Sequence, residues 1–171
     1  KKDLFETYLP AFEMCVKEGK VEAVMGAYNR VYGQSASAHT YLLKDILRDT
    51  WGFEGHVVSD CGAVCDIWQG HKIVETAPEA AALAIKSGLT VECGNCLSNL
   101  SKALELGLIT EPEIDQALIQ LLITRYKLGI IEYDPACPYN TADPKNLCCE
   151  KHRALARKVA RESMVLLKNE N

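Results

Sequence analysis

The feature that most constrains the fold is a set of three short apolar runs, each followed by small or acidic residues. The runs are VEAVMGA, HVVSD and LTVECG, which begin at Val21, His56 and Leu89. Helical patterns separate them: TYLLKDILRDTWG lies before the second run and EAAALAIKSG before the third. Parallel neighbouring strands need long connections, and helices provide them, so this order predicts parallel strands joined by helical crossovers. We therefore expect an α/β fold.

Further helices are predicted around this pattern. LPAFEMCVKEG carries Pro10 in its first turn, where proline favours helix formation, and LSNLSKALELGL is amphipathic. In TEPEIDQALIQLLITRYKLG, Thr110 and Glu113 have the spacing of a capping box. KHRALARKVARES predicts a basic helix with a solvated face, and MVLLKNEN predicts the beginning of another strand.

Residues 130–149 differ from the rest of the chain. The segment IIEYDPACPYNTADPKNLCC holds three of the six prolines and has no apolar period. This composition is typical of a connecting segment and not of a helix or a strand. We therefore predict a linker here.

The composition excludes several classes of partner. The formal net charge is −4 and no basic tail stands out, so a nucleic-acid partner is not expected. No apolar run is long enough to cross a bilayer, so a membrane partner is not expected either. Hydrophobic residues make up 48% of the chain, which is enough for a sizeable core.

The eight cysteines are an even number, which is compatible with bridges. A chain of 171 residues with an apolar core does not need a disulfide framework, so we expect scattered free thiols. Cys93 and Cys96 nevertheless have zinc-ligand spacing, and Cys61 and Cys65 are one helical turn apart. A zinc-stabilised module is therefore an alternative, although zinc modules are small folds with poor cores. Our own expectation is that the chain uses no metal and no cofactor.

Asp60 directly follows the apolar run HVVS and precedes Gly62 by two residues. A carboxylate is costly to bury without partners, so it is either tied into local hydrogen bonds or held for chemistry. An Asp at a strand-to-helix turn can cap the following helix. In α/β barrels, however, reactive groups lie at the carboxyl ends of the strands. The spacing alone leaves both interpretations open.

Three ordered motifs resemble glycoside hydrolase family 3. The string VMGAYNRVYGQSASAHTYLLKDILRDTWGFEGHVVSDCGA resembles the stretch of that family that runs from a substrate-binding strand to the catalytic nucleophile. ITEPEIDQALIQLLITRYKLGI resembles the helix that closes the family's barrel, and HRALARKVARESMVLLKNE resembles the passage into a second domain. Together they cover nearly the whole chain, from Tyr8 to Glu170.

The resemblance implies an architecture. Residues 1–129 would be the C-terminal part of a (β/α)8 TIM-like barrel, residues 130–149 an interdomain linker, and residues 150–171 the start of an α/β sandwich domain. A partial barrel leaves strand edges unpaired, so we expect a homo-oligomer through exposed barrel edges if the chain folds alone. The family also suggests a periplasmic or secreted location.

The resemblance further implies a retaining β-glycosidase that hydrolyses terminal β-D-glucosyl or β-D-xylosyl residues. Its substrate would be an oligosaccharide or an aryl or alkyl β-glycoside. Asp60 matches the nucleophile, and Met25 and Tyr28 match positions that line the sugar pocket. Cys61 stands where many β-glucosidases of the family have Trp. Because a cysteine cannot stack on a sugar ring, glucose specificity is in doubt.

A retaining glycosidase needs a second, protonated carboxyl group beside the nucleophile. In the resembled family that group lies in the domain after the linker, and the basic sugar-binding residues would lie before Lys1. We therefore expect these 171 residues alone to be inactive. We expect Glu92, which ends the third apolar run, to be structural, since an acid before Gly at a strand end often caps the next helix. A non-catalytic glycan-binding or structural module is the remaining alternative.

Overall fold

The computed structural model describes residues 1–141 and 143–170, with no side-chain description for residues 139 and 141. It divides into two compact units, residues 1–126 and the segment from Lys127 onward. Both units contain helices, but in the described ranges strands occur only in the first. No helix within these ranges has the length and apolar character that a membrane span requires.

The first unit is a mixed α/β structure. Its strands are β1 (Ala23–Gly26), β2 (Arg30–Val31), β3 (Gln34–Ser35) and β4 (His56–Ser59). Its α-helices are α1 (Leu9–Lys17), α2 (Ala63–Gln69), α3 (Ala77–Lys86), α4 (Leu100–Glu105) and α5 (Glu111–Lys127). Two π-helices, Leu4–Tyr8 and Tyr41–Thr50, and two 3₁₀ turns, Ala36–Ala38 and Cys96–Asn99, complete the unit.

The parallel arrangement predicted from the apolar runs is present. Strands β1 and β4 are parallel neighbours, with Ala23 opposite His56 and Gly26 opposite Ser59. The third run, in contrast, contributes a single parallel bridge, Val58 with Val91, and not a full strand. Strands β2 and β3 form a separate antiparallel hairpin.

Thr90 explains why the third run forms only a bridge. Its hydroxyl accepts the Val57 N–H at 2.8 Å and donates to the Val57 carbonyl at 2.8 Å. The Thr90 N–H also donates to that carbonyl, at 2.9 Å. A side chain thus takes the place that a neighbouring strand's backbone would occupy in a regular ladder, and the pairing ends there.

The core lies where β4 packs against α2 and α3. Its fully buried members include Val57 on β4, Val64 and Ile67 on α2, and Ala80 and Ala84 on α3. Burying each large aliphatic side chain stabilises the fold by about 1.5–3 kcal/mol. The alanines of α3 let its backbone approach closely, and Thr76 and Glu79 form a capping box at its start.

The amino end of β4 is held by a polar chain that reaches α5. His56 Nδ1 lies 3.1 Å from Thr124 Oγ1, and the Thr124 hydroxyl donates to Glu22 Oε1 at 3.0 Å. Burial lowers the pKa of His56, and the nearby Glu22 carboxylate opposes that shift. At the start of α5, the predicted capping contact is present, since Glu113 accepts the Thr110 N–H at 2.9 Å.

The second unit contains one long helix, α6 (Glu150–Glu162), which matches the predicted basic helix. Before it, the regular structure in the described part of residues 130–149 is limited to the 3₁₀ turns Pro138–Thr141 and Pro144–Asn146. That this segment is a linker between domains stays a prediction. The strand predicted from MVLLKNEN is wrong for Met164–Glu170, which has no regular structure. Leu167 is 92% exposed, and a strand cannot persist without a partner. The last residue of that prediction, residue 171, lies outside the described residues.

Replacing Thr90 with Val tests the side-chain pairing. Valine keeps the shape but leaves the buried Val57 N–H without its acceptor, so we expect the free energy of unfolding to fall by about 1–3 kcal/mol. Denaturant unfolding measures this change. The matched control is Thr50→Val, whose exposed hydroxyl donates to the Asp45 carbonyl and whose loss should cost no more than about 0.5 kcal/mol. Equal effects of the two changes would contradict the assignment.

Candidate active site

Asp60 lies at the carboxyl end of β4, where its backbone is held from both sides. The Asp60 N–H donates to the Gly26 carbonyl of β1 at 2.9 Å. One residue earlier, the Ser59 N–H donates to the Val91 carbonyl at 3.0 Å. These two bonds anchor the turn that carries the carboxylate, and Asp60 itself is half-buried.

The carboxylate of Asp60 does not cap the following helix. Its Oδ1 accepts the N–H of Cys61 at 2.7 Å, which is a contact within the turn. The N-cap of α2 is Gly62, in the left-handed conformation with φ of 81°, and no side chain caps this helix. Among the described residues no hydrogen bond to Asp60 Oδ2 is present. The capping interpretation of Asp60 is therefore not what the structure shows.

The structure brings Tyr28 to the Asp60 turn. A Cβ atom built on Gly62 would lie 3.4 Å from the Tyr28 hydroxyl, so this hydroxyl sits directly over the turn. Tyr28 is 44% exposed, which leaves its ring available to a ligand.

Met25 lies on β1, the strand next to β4. It pairs with Val58, two residues before Asp60, and lines a groove of about 730 Å³ together with Tyr8, Phe12 and Trp51. Its place in a sugar pocket stays a prediction.

Cys61 forms a disulfide with Cys93, in the loop that follows Val91. The Gly62 N–H also donates to the Cys93 carbonyl at 2.8 Å, and the Cys93 N–H donates to Ser59 Oγ at 3.1 Å. The expectation of free thiols throughout is therefore wrong for this pair. A zinc site built from all four cysteines is excluded for the same reason, since two of the sulfurs are bonded to each other. The spacing could not reveal the bridge, because the pairing depends on two loops that meet only in the fold.

Glu92 is structural, as the sequence predicted. Its Oε1 accepts the Cys96 N–H at 3.0 Å and its Oε2 accepts the Leu97 N–H at 2.6 Å. The carboxylate thus caps the 3₁₀ turn Cys96–Asn99. Cys65, which the sequence suggested only as a zinc ligand, donates through Sγ to Asn95 Oδ1 at 3.7 Å, and sequence reasoning passed over Asn95.

Comparison with known proteins decides the family. The model of the family described as "Glycosyl hydrolase family 3 N terminal domain" matches residues 1–123. The chain belongs to glycosyl hydrolase family 3. Its membership confirms the resemblance that the three sequence motifs carry.

Similar family 3 proteins include plant and bacterial enzymes. "Probable beta-D-xylosidase 7" of Arabidopsis thaliana is 40% identical over 169 residues, which is 98% of this chain and 22% of that protein. "Xylan 1,4-beta-xylosidase" of Xylanibacter ruminicola is 41% identical over 173 residues, which is 99% of this chain and 20% of that protein. The family 3 chain thus spans about a fifth of the length of these relatives.

Solved family 3 structures match the same region. A GH3 exo-β-xylosidase in complex with a xylobiose aziridine activity-based probe has a TM-score of 0.90 and 31% identity, and the match covers 98% of this chain and 22% of that one. A β-glucosidase from Listeria innocua in complex with glucose has a TM-score of 0.84 and 30% identity, over 99% of this chain and 23% of that one. The mixed α/β structure is therefore that of a family 3 region.

The disulfide makes a testable contribution to stability. Replacing both Cys61 and Cys93 with Ser frees a loop whose ends are 32 residues apart, so we expect the free energy of unfolding to fall by about 2–4 kcal/mol. Guanidinium unfolding measures the change, and mass analysis of an unreduced digest detects the linked peptides. Cys148→Ser, at an exposed free cysteine, is the control and should leave stability unchanged. Unlinked peptides in the native protein would refute the pairing.

Proposed function

We propose that the protein containing this chain is a retaining β-glycosidase with Asp60 as its nucleophile. The observation that carries the proposal is the state of the Asp60 carboxylate. It stands at the carboxyl end of a parallel strand, on an anchored backbone, and makes no helix-capping bond. Membership of glycosyl hydrolase family 3 supports the same reaction class.

The chemistry that this arrangement supports proceeds in two displacements. A carboxylate oxygen of Asp60 attacks the anomeric carbon while the glycosidic bond breaks, and a second carboxyl group protonates the departing oxygen. The resulting glycosyl ester is hydrolysed by water, which gives its proton to that second group and restores the Asp60 carboxylate. An anchored nucleophile favours both steps, because less motion must be lost to reach the reacting geometry.

We assign the second carboxyl group to a residue outside these 171 positions. Glu92 is the nearest acid along the third apolar run, but its two oxygens already cap the 3₁₀ turn. In this proposal residues 1–129 are the C-terminal part of a (β/α)8 barrel, residues 130–149 a linker and residues 150–171 the start of an α/β sandwich domain. The isolated chain would then be inactive, and turnover of an aryl β-xyloside by it would contradict this part.

For the sugar, terminal β-D-xylosyl residues are the first choice and β-D-glucosyl residues the second. Relatives about 40% identical are named xylosidases, whereas a structural neighbour at 30% identity is a β-glucosidase with bound glucose. Cys61 stands where a stacking Trp would suit glucose, and its sulfur is bonded to Cys93, so this side chain offers no ring to a sugar. Parallel assays on aryl β-xylosides, β-glucosides and α-arabinofuranosides, run on the protein that contains the chain, distinguish these substrates.

Asp60→Asn tests the nucleophile in the protein that contains this chain. The amide cannot form the glycosyl ester, so we expect kcat to fall by about three orders of magnitude or more. Asp49→Asn, at an exposed carboxylate on the π-helix Tyr41–Thr50, is the matched control and should retain full activity. In addition, a fluorinated slow substrate should leave its label on Asp60. A label on a different side chain would end the assignment.

Tyr28→Phe tests whether the hydroxyl over the Asp60 turn serves the reaction. Loss of a hydrogen bond to the reacting site should lower kcat/KM about tenfold, while stability stays close to that of the parent. Tyr126→Phe removes the same group from an exposed position on α5 and should have no effect on kcat/KM. If the two variants behave alike, Tyr28 has no part in the site.

A further inference from the structure

A second cluster of reactive side chains lies beside the loop that the disulfide holds. Cys65 on α2, Cys96 at the start of the 3₁₀ turn and the carboxylate of Glu92 place one donor atom each within 4.8 Å of one another. Cys96 is buried, and Cys65 and Glu92 are half-buried. None of the three takes part in the chemistry proposed for Asp60.

We propose that Cys65, Cys96 and Glu92 form a binding site for a thiophilic divalent cation of the Zn²⁺ type. Two thiolates and one carboxylate oxygen are ligands that Zn²⁺ accepts in tetrahedral sites, with one position left for water. Hard cations such as Mg²⁺ and Ca²⁺ select oxygen ligands and are disfavoured by two sulfurs.

The ligands are oriented before any cation arrives. Glu92 is fixed by the N–H groups of Cys96 and Leu97, at 3.0 and 2.6 Å, and each carboxylate oxygen retains a further lone pair. Such contacts act as the outer-sphere hydrogen bonds of metal sites do, since they hold a ligand in one orientation. The Cys61–Cys93 disulfide joins the same two segments, four residues before Cys65 and three before Cys96.

This site differs from the four-cysteine arrangement suggested by the sequence spacing. Cys61 and Cys93 are unavailable because they are bonded to each other. The third ligand is a carboxylate, which cysteine spacing could not indicate. The proposal also departs from the expectation, drawn from the sequence, that the chain binds no metal.

Titration of the full chain with CoCl₂ tests the proposal. The protein is purified without reductant so that the disulfide persists, and Co²⁺ serves as the spectroscopic probe for Zn²⁺. We expect one equivalent to bind with a thiolate-to-cobalt charge-transfer absorption in the near ultraviolet, and ZnCl₂ to displace it. Bound Zn²⁺ should also slow the alkylation of Cys65 by iodoacetamide.

Variants assign the ligands. Cys65→Ser removes one of the two sulfur ligands and should abolish the thiolate-to-cobalt band of the one-equivalent site. Glu92→Gln keeps both sulfurs, so the band should persist while the affinity for Co²⁺ falls about tenfold. Cys15→Ser, at an exposed free cysteine outside the cluster, should bind as the parent does. Circular dichroism checks that each variant is folded. Cys65 is replaced instead of Cys96 because a change at the buried Cys96 is more disruptive to folding.

Three results would overturn the proposal. The first is the absence of a charge-transfer band in the folded parent, and the second is equal binding by Cys65→Ser. The third is a linked Cys65–Cys96 peptide in the native protein, because it would show that the two sulfurs form a second disulfide instead. None of these outcomes depends on the role of Asp60, so the test is independent of the proposed glycosidase activity.

Discussion

The pairing of β4 on both of its edges is the constraint on which the rest of the structure depends. One edge bonds to β1. The other edge bonds to a segment with a single β-bridge, at Val91, and there the Thr90 hydroxyl and backbone N–H both bond to Val57. These bonds extend past the strand, since the Asp60 N–H still donates to the Gly26 carbonyl. The carboxylate therefore begins from a fixed backbone, although it stands on a turn. Reactive groups on turns are generally positioned in this way, by the rigid element that precedes them.

The two ends of β4 differ in how their polar groups are used. At the amino end, Thr124 links His56 to Glu22 by hydrogen bonds, so these polar groups serve to hold the structure together. At the carboxyl end the backbone and the disulfide supply the rigidity, and within the described part of the chain the Asp60 carboxylate accepts a hydrogen bond only from Cys61 in its own turn. This asymmetry suits the nucleophilic role proposed for Asp60, because a carboxylate that already holds a helix is not free to attack a sugar. In that proposal, stability and reactivity depend on different groups at the two ends of β4.

Sequence patterns predicted what depends on local periodicity and missed what depends on distant partners. The parallel pair β1 and β4 follows from apolar runs separated by helical patterns, and the Thr110–Glu113 contact follows from its spacing. The Thr76–Glu79 cap could have been read from the same kind of spacing. The prediction of a strand for MVLLKNEN failed for a different reason. Its apolar residues are typical of a strand, but a strand also needs a neighbouring strand to pair with. The Cys61–Cys93 bridge could be known only from the fold, because it joins two loops 32 residues apart.

The loop from Glu92 to Cys96 links these observations, because one short segment supplies a cap, a disulfide partner and two proposed metal ligands. Assembling ligands from two distant segments normally costs loop-closure entropy, which grows with the length of chain enclosed. Here the Cys61–Cys93 bridge has already brought α2 and the loop together. Because this bridge already joins the two segments, a cation bound to Cys65 and Cys96 would close only a short further loop of the chain. Its binding would therefore gain little free energy from restricting the unfolded chain. Its affinity must then come from the ligand bonds themselves, and this argues for a cation with a strong preference for thiolate sulfur.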